Sequence, residues 1–134
     1  MRVVTTENTE HTERDVLTGS VIGCAIEVHK TLGPGLLESA YQKALAHEFC
    51  AQSLSFKTEV ALPVQYKGIE IDCAYRMDMV IENSLILELK SLSRIEPIHE
   101  AQLLTYMKLS QINKGLLINF NVRQLKDGIK RMVL

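Results

Sequence analysis

Glu88 and Lys90 stand two residues apart in Leu85-Ile86-Leu87-Glu88-Leu89-Lys90, where every odd position is leucine. Alternate side chains of an extended strand share a face, so this carboxylate and ammonium stand side by side, opposite Leu85, Leu87 and Leu89. Asp78 lies ten residues before Glu88, on the preceding apolar run. Register decides whether it joins them. A two-residue turn at Asn83-Ser84 pairs Asp78 with Leu89 and sends it to the wrong face, whereas a three-residue turn at Glu82-Asn83-Ser84 pairs it with Glu88. The three-residue turn, or an equivalent bulge, is the expectation. Two carboxylates placed directly opposite repel, and a hard divalent cation between them removes the repulsion. Mg²⁺ uses few carboxylates and keeps several waters, one of which can become a nucleophile. A bare Glu-x-Lys is also what the solvent face of many hairpins carries, so the weight of the pattern rests on Asp78.

Two helical segments supply further polar groups. On the one beginning near Pro97, His99, Gln102 and Tyr106 fall at i, i+3 and i+7 and form one polar stripe. On the other, Glu38 and Tyr41 lie three apart just after Gly33-Pro34-Gly35. An acid in the first turn of a helix gains roughly 0.3–1 kcal/mol from the helix dipole, which is reason enough for Glu38 by itself. Tyr41 suits a core aromatic better than a ligand, and Gln102 and Tyr106 equally suit partners of buried polar groups. His29 and His99 are not assigned as catalytic bases.

The elements that must hold these residues follow from periodicity. From Glu13, Leu17, Val21, Cys24, Val28 and Leu32 recur at helical steps until Gly33-Pro34-Gly35 ends the helix. A second helix from Leu36 to Gln52 completes a helical hairpin. The period then shifts toward two: a strand from Phe56 to Lys67, a hairpin turn at Tyr66-Lys67-Gly68-Ile69-Glu70, a return strand from Ile69 to Ile81 and a strand from Leu85 to Leu89. Pro97 starts a helix that reaches Gln111, Gly115–Phe120 reads as a buried strand, and Ile129–Leu134 as a last strand or extended tail. The fold class is therefore α/β (α+β), a mixed sheet flanked by helices in the order α-α-β-β-β-α-β-(β). Residues 1–12 are polar and are expected to form a flexible N-terminal arm, leaving 13–134 as one domain.

Composition sets outer bounds. At 134 residues the chain has the length of one domain, and its 46% apolar and 23% charged residues lie far from the disordered regime. With no Trp, three Phe and four Tyr, its core must be mostly aliphatic. The formal charge is −1, but residues 105–134 carry +5 and the first 104 carry −6. No global field draws the chain to nucleic acid, although its last quarter is basic. Three widely spaced cysteines without a metal-binding spacing, no run long enough to span a membrane, and a polar start unlike a signal peptide make a cytoplasmic protein the expectation.

With these residues in order, the chain resembles the G-x-x-E-x-x-Y proteins of the PD-(D/E)XK nuclease superfamily. The naming motif reads Gly35-Leu36-Leu37-Glu38-Ser39-Ala40-Tyr41. The resemblance runs from about Leu17 to Leu134. It takes in Glu27-Val28-His29, Asp78, Glu88-Leu89-Lys90, His99 to Tyr106, Leu116 to Phe120 and Lys126 to Arg131. It implies a restriction-endonuclease-like core in which Asp78, Glu88 and the main-chain carbonyl of Leu89 hold Mg²⁺, with Mn²⁺ as a substitute and Glu38 as a further candidate ligand. Glu38, Asp78, Glu88 and Lys90 are then the catalytic set, with Lys90 orienting or helping deprotonate the attacking water. Gln102 and Tyr106 resemble a Q-x-x-x-Y element that contacts substrate or the metal's surroundings, and Tyr41 is a supporting candidate. Met77 stands where the superfamily's name has proline.

The leading reading is a Mg²⁺-dependent nuclease-like hydrolase that cleaves phosphodiester bonds of DNA or RNA by water attack. Its alternatives are a non-catalytic nucleic-acid- or protein-binding module that keeps the fold, and a metal-dependent enzyme on a small phosphorylated substrate. The expected partners are DNA or RNA and, by resemblance, a second copy of the chain as a homodimer; a membrane is not among them.

Overall fold

The helical steps from Leu17 fold as α1, Val16–Leu32. The computed structural model describes residues 4–6, 15–72 and 75–134 of the chain. Asp15 caps α1 by accepting the Thr18 N–H at 3.0 Å, and its carboxylate also meets Lys114 Nζ at 3.0 Å, which ties the helix start to the sheet. Burial works against the charged form of Asp15, but the Thr18 hydrogen bonds and Lys114 together hold its carboxyl below the usual range. The helix stops where the Gly33 N–H returns to the His29 carbonyl at 2.8 Å, and Gly33 and Gly35 take φ of 69° and 96°, a region L side chains avoid. Helix α2 then runs over Glu38–Ala51 and completes the helical hairpin.

The expected long strands are shorter than their periodicity suggested. Phe56–Ala61 forms β2, and Val64–Tyr66 forms β3 beyond the break at Leu62-Pro63, where proline offers no N–H to a ladder. Ile69–Ile71 (β4) pairs only with β3, as a separate two-stranded hairpin closed by Lys67 and Gly68, both at positive φ. Arg76–Ile81 is β5 and Leu85–Lys90 is β6. Helix α3, Pro97–Ser110, crosses to β7, Lys114–Asn119, and a short 3₁₀ turn at Leu125–Gly128 leads into β8, Ile129–Val133. Val4–Thr6, within the stretch expected to be a loose arm, forms β1 and pairs with β8; the rest of that arm, residues 1–3 and 7–12, lies outside the described residues.

The main sheet has the order β1-β8-β7-β6-β5-β2 and is antiparallel except between β6 and β7. Its two faces are buried by different helices. Met79, Ile81, Leu85, Leu87, Leu89, Leu116 and Ile118 pack with α1 and α2, while Val80, Ile86 and Leu117 pack with Leu103, Tyr106 and Met107 of α3. Among the described residues no helix is long and apolar enough to cross a membrane.

Two close contacts lock this arrangement near the C-terminal end of β6. A Cβ on Gly128 would lie 2.1 Å from the Asn119 carbonyl oxygen, so only glycine fits there. Buried Asn119 in turn accepts the Leu92 N–H and donates to the Leu92 carbonyl, both at 3.0 Å, fixing the chain two residues after Lys90. His29 serves the same end: its Nε2 lies 2.8 Å from the Val122 carbonyl oxygen, fastening α1 to the segment after β7.

Candidate active site

Strands β5 and β6 are joined by the three-residue connection Glu82-Asn83-Ser84, giving the register Met79↔Leu87, Val80↔Ile86 and Ile81↔Leu85. Glu82 and Asn83 both take positive φ, and the Ser84 N–H closes on Ile81 at 3.0 Å. Continuing this register places Asp78 opposite Glu88, as the three-residue turn requires. The main-chain ladder, however, ends at Met79. Beyond it each carboxylate takes a main-chain donor from the other strand: Glu88 Oε2 accepts the Asp78 N–H at 2.7 Å and Asp78 Oδ2 accepts the Leu89 N–H at 2.8 Å. The strands part, and two acids occupy the opening.

A second distortion lies on the other side of β5. Thr58↔Met79 and Val60↔Met77 pair, but the intervening Glu59 and Asp78 do not, and Glu59 takes a φ of 51°. The Asp78 carbonyl is met instead by Gln42 Nε2 of α2 at 2.9 Å, and the same amide lies 3.3 Å from Glu59 Oε2. A non-glycine residue held in the left-handed region beside functional groups is a mark of a backbone bent for a purpose. Glu38, Ser39, Gln42, Glu59, Asp78 and Leu89 line the resulting cleft, about 140 Å³ in volume.

Electrostatics follow from this crowding. Glu88 is only 4% exposed, and burial, reinforced by the charge of Asp78, pushes its carboxyl up to about 8. Asp78 is also raised, first by burial and then by Glu59 and Glu38, against the Leu89 N–H and Lys90, which favour its charged form. Lys90, two residues along β6 from Glu88, lowers both carboxyls. The cluster is thus electrostatically frustrated without a compensating cation.

These residues fit a hard divalent cation. Each carboxylate commits one oxygen to a main-chain N–H, and among the described residues Asp78 Oδ1 and Glu88 Oε1 receive no protein donor. The N–H and C=O of an extended residue point to the same edge of its strand, so the Leu89 carbonyl faces the opening that its N–H enters. The neighbouring Lys90 carbonyl faces the other way and accepts the Phe120 N–H of the chain after β7 at 2.9 Å. No group of three or more His, Cys, Asp or Glu able to hold a metal occurs among the described residues. Mg²⁺ does not require one, since it binds through one or two carboxylates and retains water.

The other expected residues separate into two kinds. Glu38, exposed at the start of α2, reaches the acidic cleft. Tyr106 is raised by burial and by Glu88, with Gln102 acting against the rise, and together with Gln102 it lines a groove that also contains Lys90, on the α3 side of the carboxylate pair. Tyr41 does not line either opening. Fully buried and stacked on Phe120 at 4.3 Å, it donates to the Gly33 carbonyl at 2.6 Å and accepts the Leu36 N–H at 3.2 Å. Its part is to hold the glycine turn that delivers Glu38, with Ser91 Oγ adding a bond to the Leu36 carbonyl at 2.6 Å. Tyr41→Phe is expected to cost about 1–3 kcal/mol in urea unfolding, because two main-chain groups of the turn lose their partner. His99 is likewise structural: its Nδ1 accepts the Glu96 N–H at 2.8 Å in the capping box of α3.

Sequence reasoning missed Gln42 and Glu59. Gln42 was findable, being one helical turn after Glu38 on the same face of α2. Glu59 carried no such signal, since strict alternation along β2 groups it away from Val60 and gives no hint of its positive φ.

The raised carboxyls predict a pH dependence. A folded-state value near 8 against about 4.5 unfolded means that Glu88 favours folding fully below pH 4.5 and loses that contribution as pH rises to about 8, with Asp78 acting in the same sense. The melting temperature of metal-free protein should fall across this window. Millimolar Mg²⁺ should flatten the profile, which differential scanning calorimetry in EDTA and in Mg²⁺ would show.

A family model described as the PD-(D/E)XK nuclease superfamily matches residues 15–132. No curated protein and no solved structure matches the chain.

Proposed function

Because the chain belongs to the PD-(D/E)XK nuclease superfamily, we propose that it is a Mg²⁺-dependent hydrolase of phosphodiester bonds in DNA or RNA. Within that superfamily we assign it to the G-x-x-E-x-x-Y proteins on the stretch Gly35 to Tyr41. The observation that carries the reading is the opening between β5 and β6, where Asp78 and Glu88 plug the ends of an interrupted ladder and Lys90 follows on the same face as Glu88.

Asp78, Glu88 and the Leu89 carbonyl would hold the ion, with Glu38 and Glu59 along the cleft beside them. A bound Mg²⁺ supplies an acidified water at neutral pH and offsets charge on the phosphate. Lys90 holds the phosphate and orients the attacking water, its ammonium stabilising charge as it develops on the phosphate oxygens. Gln42 fixes the main chain of Asp78, so the carboxylate does not swing with the strand end. Gln102 and Tyr106 border the same groove as Lys90 and would contact the substrate there.

The second reading is a non-catalytic nucleic-acid- or protein-binding module that keeps the fold. One assay decides between them. End-labelled single- and double-stranded DNA and RNA are incubated with the protein in Mg²⁺, Mn²⁺ or EDTA. Cleavage in either metal that stops in EDTA supports the hydrolase. Binding without cleavage in every metal condition supports the module.

A further inference from the structure

The carboxylate pair has two openings of opposite character. On one side lies the cleft edged by Glu38, Glu59 and Asp78. On the other lies a groove of about 700 Å³ along α3, reaching from Lys90 past Gln102 and Tyr106 to Tyr75, Thr105 and Leu109. Among the described residues lining that groove there is no acidic side chain, and most are apolar or aromatic. Its charge comes from Lys90, at the end nearest the carboxylates.

Tyr75 is 46% exposed just before β5, with its ring centroid 6.3 Å from that of Tyr106 and tilted by 54°. Tyr106 is buried between α3 and the sheet, in the cluster of Val80, Ile86 and Leu117, so its position is fixed, while Tyr75 is half exposed beside it. Between them the groove offers apolar walls, an amide at Gln102 and a hydroxyl at Thr105.

We propose that this groove binds an unpaired nucleobase adjacent to the phosphate held at Lys90, making the substrate a single-stranded polynucleotide or a frayed end. The inference rests on the hydrolase reading for the position of the phosphate and deepens it by naming the substrate class. A flat, neutral, aromatic group with hydrogen-bonding edges matches the lining, and the phosphate attached to it matches the lone lysine. Stacking on an aromatic side chain is sequence-tolerant, since every base has a π face. A base inside a duplex is covered by its neighbours and must leave the stack before entering a groove of this kind. The groove's volume accommodates a base with its sugar. The shared chemistry of single-stranded DNA and RNA is the same here, and separate arms of the test distinguish them.

The experiment measures binding, not cleavage. Fluorescently labelled 20-nucleotide single-stranded DNA, single-stranded RNA and the matching DNA duplex are titrated with the full chain in Ca²⁺, alongside Tyr75→Ala and Tyr75→Phe. At least one single strand is expected to bind at least about 10-fold tighter than duplex, with Tyr75→Ala weakening that binding about 5- to 30-fold and Tyr75→Phe changing it less than about 2-fold. Unchanged melting temperatures of the variants would exclude misfolding as the cause. Equal affinity for single strand and duplex, or a silent Tyr75→Ala, overturns the base site and gives the apolar groove to a protein partner. The outcome is separable from that of the hydrolase reading: Tyr75-dependent single-strand binding without metal-dependent cleavage would leave the groove and remove the hydrolysis. Cleavage with a silent Tyr75→Ala would do the reverse.

Discussion

Glu88→Gln is expected to abolish phosphodiester cleavage, by at least about 1,000-fold, while making the metal-free protein more stable above neutral pH. The two effects have one cause. Glu88 is buried against Asp78 with its carboxyl pushed up to about 8, so above that value the folded chain must hold two adjacent charges in a poorly solvated opening. Glutamine preserves the acceptor oxygen for the Asp78 N–H at nearly the same volume and removes the repulsion. It also removes a charged oxygen from the pair proposed to hold a divalent ion beside Lys90. The melting temperature of the variant in EDTA should therefore exceed that of the parent by about 5 °C at pH 9 and converge with it near pH 5, where Glu88 is already protonated. A variant that lost activity through misfolding would melt lower at both pH values. This is the trade between activity and stability expected where a site holds costly charges for its chemistry.

Lys90→Ala is expected to lower kcat by about 100- to 1,000-fold while leaving Mn²⁺ binding nearly intact. The magnitude is that of removing one oriented electrostatic group from the point where charge develops. Lys90 stands on the same strand face as Glu88, favours the charged forms of Asp78 and Glu88, and also lines the α3 groove, so it borders both the proposed ion and the proposed substrate. Without it Asp78 and Glu88 rise further, because Lys90 favours the charged form of both. The pH at which residual activity reaches half its plateau should shift upward in the variant. Lys90→Arg, with a planar head on a different stem, is expected to recover only part of the rate. Rate profiles from pH 5 to 9 for the three proteins would separate a charge effect from a purely steric one.

Much of this arrangement is legible in the sequence, and the reasons are specific. The odd-position leucines of β6 fix which face Glu88 takes, and the requirement that Asp78 share that face selects the Glu82-Asn83-Ser84 turn that the register shows. Periodicity also yields the helical hairpin, α3 and β7. What it does not yield are the interruptions. The strands expected at Phe56–Lys67 and Ile69–Ile81 break into β2 to β5 because Pro63 cannot serve a ladder and the β3-β4 hairpin turns away from the main sheet. The separation of Asp78 from the β5-β6 ladder is invisible to alternation, since it depends on side chains replacing main-chain partners. Glu59 and Gln42 become relevant only through that replacement. Tyr41 follows the reading its spacing favoured, a core aromatic, and it supports the turn carrying Glu38.

Polar residues conspicuous in a motif thus divide by burial and partner. Asn119, His29 and Tyr41 each hold main-chain groups of the loops that surround the end of β6. Asp78 and Glu88 hold main-chain N–H groups too, but each retains a carboxylate oxygen without a protein donor among the described residues. That spare capacity distinguishes the proposed ligands from the supports.

The most direct test of this account is Mn²⁺ binding, counted by electron paramagnetic resonance at pH 8, in the parent protein, Asp78→Asn and Glu88→Gln. The parent is expected to bind at least one Mn²⁺, displaced by excess Mg²⁺, and each variant to lose at least about 10-fold in affinity while remaining folded. Binding that is absent from the parent, or that survives both substitutions unchanged, would contradict the assignment of the Asp78–Glu88 opening as a divalent-cation site.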